Sequence, residues 1–138
     1  MTKIKQAKLK KYEQEIDRLM KKHQEQLTPQ QIVDNARSET SPLHDYFTWN
    51  DTEEAHLWRL HKARLLFGCV IKEIRVKGES QPKEFRKYIN VKTVQQESVY
   101  VPTEVAVKTT SYRQQIIDEC IKTSETLTDK LKVFKYHT

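Results

Sequence analysis

With 138 residues, of which 32% are charged and 36% hydrophobic, the chain suits one domain with a modest core and a highly charged surface. No run of 18 or more apolar residues is present, which excludes a membrane-spanning helix. The opening Met1-Thr2-Lys3-Ile4-Lys5 lacks an apolar signal core, so secretion is not expected.

Cys69 and Cys120 have no metal-type spacing and read as thiols in a reducing compartment. The net charge of +6 is unevenly spread. Residues 1–27 carry +4, residues 28–68 carry −2, residues 69–103 carry +3 and residues 104–138 carry +1. Two basic segments flank an acidic one, a balance that favours polyanion contact at the N-terminus and in the third quarter.

The first segment, residues 1–26, is a lysine-rich helix without Gly or Pro. Leu9, Tyr12, Ile16, Leu19 and His23 recur at spacings of three and four, a short coiled-coil seam. About two heptads of isolated helix are marginal, so the seam must pack on something. It allows a coiled-coil arm and a homodimer through this helix, or docking on its own domain. Residues 27–138 then form a single α+β domain.

Thr28-Pro29-Gln30-Gln31 is a helix start, with Thr28 as cap, Pro29 at the first position and Gln31 reaching back. This helix should run to about Ser38 and bury Ile32, Val33 and Ala36. A loop rich in aromatic side chains follows, holding Leu43, Tyr46, Phe47 and Trp49. Burying each is worth roughly 1.5–3 kcal/mol, so the loop should fold back into the core. Asp51, with Glu54 three residues on, is expected to cap a helix over 52–67. The apolar residues of that helix cover much of its circumference, which places it centrally, with Trp58 structural like Trp49. Gly68 should end it as a C-cap glycine.

Residues 69–77 and 85–94 alternate as strands, and Val99-Tyr100-Val101 is a short third one stopped by Pro102. The expected sheet is an antiparallel meander, too small to stand without helices on one face. Ser111 with Gln114 caps the last helix, which should run to about Lys132 and cover the sheet through Tyr112, Ile116, Ile117, Cys120, Ile121, Leu127, Leu131 and Phe134. The fold class is therefore α+β: a helical N-terminal half, a small antiparallel β-meander and a C-terminal helix.

The residues offer no familiar catalytic arrangement. His56 and His61 are five apart, off the spacing of a helical metal pair. The two glycines, Gly68 and Gly78, stand alone, so neither a phosphate-cradling loop nor a Gly-x-Ser-x-Gly turn is present. The reading is a non-enzyme without metal or cofactor. A winged-helix arrangement fits the element order, but the leading end of its recognition helix would be Asp51, Glu53 and Glu54, which repel phosphates. Contact with nucleic acid or with a host protein is better placed on Lys3, Lys5, Lys8, Lys10 and Lys11 of the first helix. To these the hairpin adds Lys72, Arg75, Lys77, Lys83, Arg86 and Lys87.

Leu27-Thr28-Pro29, Ala36-Arg37, Ser41-Pro42-Leu43-His44, Phe47-x-Trp49-x-Asp51, Ala55, Arg59, Ala63-Arg64 and Tyr100-Val101-Pro102 together resemble a family of small proteins encoded by tailed bacteriophages and prophages. The resemblance covers roughly residues 27–121. Asn50 departs from the pattern, in which two aspartates follow the Trp. The resemblance implies a phage source and life in the host bacterial cytoplasm, and assigns no activity to any residue. The expected function is that of a phage accessory or regulatory protein binding DNA or a nucleoprotein complex. The alternatives are an inhibitor of a host defence machine such as a CRISPR nuclease, and a virion or assembly component.

Overall fold

The computed structural model describes residues 4–50 and 52–137. Helix α1 spans Gln6–Lys22, and its seam faces the interior of its own chain: Tyr12, Ile16, Leu19 and Met20 are all buried. They pack with Leu27, Ile32, Val33, Leu43, Phe47, Leu66 and Phe67 in one cluster. The seam is thus filled from within, so α1 is an integral part of the domain and not a projecting coiled-coil arm. Helix α2 spans Pro29–Ala36 and starts with the expected reciprocal cap. Gln31 N–H donates to Thr28 Oγ1 at 3.2 Å, and Thr28 N–H donates to the Gln31 side chain at 2.9 Å.

The aromatic loop is drawn into this core and held by polar links. Leu43 and Phe47 are buried, and a single 3₁₀ turn covers His44–Tyr46. Trp49 stacks on His44 at 5.3 Å, and its indole N–H donates to the His44 carbonyl at 3.0 Å. Arg59, buried on the next helix, donates through Nη1 to the Thr48 and Asn50 carbonyls at 3.0 and 2.9 Å and lies over the Trp49 ring. A buried cation is costly unless hydrogen-bonded; here the two carbonyls partner Nη1 and the indole face lies against the guanidinium, while Nε has no hydrogen-bond partner among the described residues. His44, Trp49 and Arg59 are therefore a structural latch between the loop and the helix that follows it.

Helix α3 spans Glu53–Cys69. Its N-cap is Thr52, whose hydroxyl accepts from Ala55 N–H at 3.1 Å; Asp51, the expected cap, lies outside the described residues. Gly68 does not end the helix, which continues to Cys69 before Val70 turns extended. Ala63, Leu66 and Phe67 face the core. Trp58 does not: it is 54% exposed beside Leu57. An apolar helix with more large side chains than its neighbours can cover leaves some of them in water.

The expected long second strand bends at Lys87, and the antiparallel strands divide into two ribbons. Strands β1, Ile71–Ile74, and β2, Lys83–Arg86, pair with Ile71 opposite Arg86 and Ile74 opposite Lys83. Strands β3, Tyr88–Lys92, and β4, Ser98–Pro102, pair with Tyr88 opposite Pro102 and Lys92 opposite Ser98. Lys87 carries the bend, its N–H donating to the Val70 carbonyl and its carbonyl accepting from Thr103 N–H. Leu27 bridges to Tyr100, fixing the second ribbon to the α1–α2 link. The second ribbon is covered on both faces. Tyr88 and Tyr100 meet Phe67 on one side, while Ile89, Val91, Val99 and Val101 meet Ala106, Tyr112 and Ile116 on the other.

Helix α4, Thr103–Lys108, leads to α5, Thr110–Tyr136. Ser111 falls inside α5, and Thr109 at its N-cap makes no side-chain cap. Only the first turns of α5 cover the sheet. From Ile117 to His137 every described residue is exposed.

Candidate interaction surfaces

The first ribbon stands apart from the core, with every residue of β2 exposed. Directly opposed residues share a face of an antiparallel pair, so its two faces differ. One carries Ile71, Glu73, Glu84 and Arg86. It borders a groove of about 610 Å³ against α1, lined also by Leu9, Lys10 and Glu13. The other face carries Lys72, Ile74, Lys83 and an exposed Phe85. The connecting loop adds Arg75 and Lys77, both exposed. Gly78 makes its turn possible: φ is +88° there, and Glu79 N–H donates to the Val76 carbonyl at 3.1 Å.

The cations singled out from the sequence have different surroundings. Lys8 and Lys11 lie 3.5 and 3.9 Å from Asp45. Lys72 pairs with Glu104, and Lys83 with Glu79 at 3.1 Å. Exposed pairs of this kind are worth about 0–1 kcal/mol and open readily to another anion. Lys5, Lys10, Arg75, Lys77 and Arg86 have no carboxylate within 4 Å among the described residues; Lys3 lies outside them. Lys10 and Arg86 are on the groove side of the ribbon, away from Lys72 and Lys83.

Lys87 belongs to the scaffold. Its ammonium donates to Glu13 at 2.7 Å and Asp17 at 2.8 Å, and the Tyr88 hydroxyl donates to the other Asp17 oxygen at 2.6 Å. Burial by itself would lower the Lys87 pKa, but the hydrogen bonds and charges of Asp17 and Glu13 outweigh it and raise it. Burial, then the Asp17 hydrogen bond, push the Tyr88 hydroxyl far above the ordinary tyrosine range. This cluster ties α1 to the bend between the ribbons. A second polar link joins α1 to the aromatic loop, where the Tyr12 hydroxyl donates to Asp45 at 3.0 Å. Burial, then Asp45, raise the Tyr12 pKa to about 12.

Two exposed apolar features add to these basic ones. On α3, Leu57 and Trp58 are exposed, and Trp58 lies 5.2 Å from the His61 ring. The apolar residues spread round the whole of α3 signal that some remain outside, without saying which. On α5, Ile117, Leu127, Leu131 and Phe134 are exposed along one stripe, Ile121 is exposed beside it, and Val133 and Tyr136 are exposed on other sides of the helix. The described residues contain no group of three His, Cys, Asp or Glu side chains placed to hold a metal ion, and no helix among them is long and apolar enough to cross a membrane. Comparison with protein-family models, curated proteins and solved structures gave no match.

Proposed function

We propose that the chain is a non-enzymatic phage accessory protein that binds DNA or a nucleoprotein complex through the β1–β2 ribbon. The observation that carries this reading is the ribbon face with Lys72, Lys83 and exposed Phe85, next to Arg75 and Lys77 in its loop. A two-stranded ribbon has the width of a major groove. The cations supply phosphate contacts, and the aromatic ring supplies an apolar surface for a base or sugar. The leading end of α3 is acidic in sequence, so the ribbon and not that helix is the contact. The test is binding of random-sequence duplex DNA across a salt series. The expected result is affinity that falls steeply as salt rises; no binding at low salt would remove the reading.

A second reading, an inhibitor that binds a protein of a host defence machine, is favoured by Leu57 and Trp58. Trp is enriched among residues that anchor protein interfaces. This reading expects a stoichiometric complex with a host protein, lost in Trp58→Ala, and little affinity for free DNA.

A further inference from the structure

We infer that the free part of α5, from Ile117 onward, pairs antiparallel with the same segment of a second copy of the chain. Tyr112 and Ile116 anchor the helix on the second ribbon, and Gln115 exchanges hydrogen bonds with the Lys92 backbone at 2.8 Å in both directions. Beyond them the helix has no packing partner among the described residues. Residues 117–136 nevertheless extend for roughly 30 Å of helix. Such a length is marginal in water without an apolar face packed on something.

Its apolar face is a heptad seam. Ile117, Cys120, Ser124, Leu127, Leu131 and Phe134 follow one another at spacings of three and four. Leu127 and Leu131 are each 61% exposed and Phe134 is 79% exposed. Large apolar side chains in such a row are what a coiled-coil partner covers.

Charge selects the occupant and its direction. Residues 117–126 carry Asp118, Glu119 and Glu125 against Lys122, a net −2. Residues 127–137 carry Lys130, Lys132 and Lys135 against Asp129, a net +2. An antiparallel pair lays each acidic half along the basic half of the other copy, so the segment is complementary to itself. A parallel pair stacks like on like and sets Lys130 beside Lys135 of the second copy at the flanking positions.

The antiparallel register also closes sterically. Ile117 meets Phe134 of the second copy, Cys120 meets Leu131, and Ser124 meets Leu127. Each layer combines a smaller side chain with a larger one, and the same three layers repeat across the two-fold axis. The two bodies then sit at opposite ends of the rod.

Two measurements test this. Sedimentation equilibrium at tens of micromolar protein should give twice the 16.5 kDa chain mass. Leu127→Asp with Leu131→Asp should return it to one chain without lowering the melting temperature of a dilute, monomeric sample. A wild-type monomer at all concentrations, or a double variant that stays dimeric, overturns the proposal. Direction is read by oxidation in a Cys69→Ser background. Leu131→Cys should cross-link to Cys120 of the second copy, while the chain with Cys120 alone should not. In the antiparallel register the two Cys120 residues are about 16 Å apart along the axis. A covalent dimer through Cys120 alone would indicate a parallel pair and overturn the proposal.

Discussion

Replacing Lys87 by Met keeps the length of the side chain and removes its charge, so it asks whether this lysine serves the fold or a partner. Its ammonium makes two charge-assisted hydrogen bonds, to Glu13 and Asp17. Each is worth about 1.5–3 kcal/mol when sheltered. The Lys87 side chain is 20% exposed, but Glu13 and Asp17 are 32% and 41% exposed, so both carboxylates rehydrate when the lysine is lost. Screening at that exposure reduces the sum to about 2 kcal/mol. With an unfolding entropy of about 2.1 cal/mol/K per residue, that loss lowers the melting temperature by roughly 7 °C. Urea denaturation of wild type and Lys87→Met, compared through the midpoint at constant slope, measures it directly. The same variant should retain wild-type affinity for DNA. A loss below about 0.5 kcal/mol, the range of an ordinary surface change, would refute the reasoning and return Lys87 to the candidate contacts.

Phe67→Ala and Trp58→Ala should separate sharply. Phe67 stacks on Tyr100 at 4.0 Å and meets Tyr88 edge-on at 5.8 Å, so its truncation should cost about 3–5 kcal/mol in chemical denaturation, whereas exposed Trp58 should cost under about 1 kcal/mol. Stability should also fall in alkali. The Tyr12 and Tyr46 hydroxyls are pushed up to about 12, chiefly by burial, so the fold holds their neutral forms. Their contribution is complete below the unfolded value near 10 and is lost as pH rises toward about 12. In thermal melts from pH 9 to 11.5, Tyr12→Phe should show a shallower decline than wild type; equal slopes would contradict the assignment.

The sequence made some features readable and concealed others for physical reasons. Thr28 and Gln31 form a cap within four residues, so local chemistry reveals it. The aromatic loop was legible because four large apolar side chains cannot stay in water cheaply. The bend at Lys87 was not legible: Lys87 interrupts the apolar alternation of Phe85, Ile89 and Val91, but one charged residue in phase does not announce that the chain changes pairing partner. Nor could spacing show that Lys87 belongs to Asp17, 70 residues away. The stripe on α5 was visible as a period, but a period does not say whether it meets its own sheet or is left open. On α3, the same limit hid the exposure of Trp58.

The ribbon is the centre of the functional account, and charge reversal on it is the most direct trial. Arg75→Glu, Lys77→Glu and Lys83→Glu, combined in one chain, should leave the melting temperature near that of wild type because all three side chains are exposed. Binding to duplex DNA should weaken, and the slope of log affinity against log salt should fall by about one for each phosphate contact removed. A control with Lys21→Glu and Lys22→Glu, on the far end of α1, should bind like the wild type in slope. If the ribbon variant kept wild-type affinity and slope, DNA would be held elsewhere and the central claim would be contradicted.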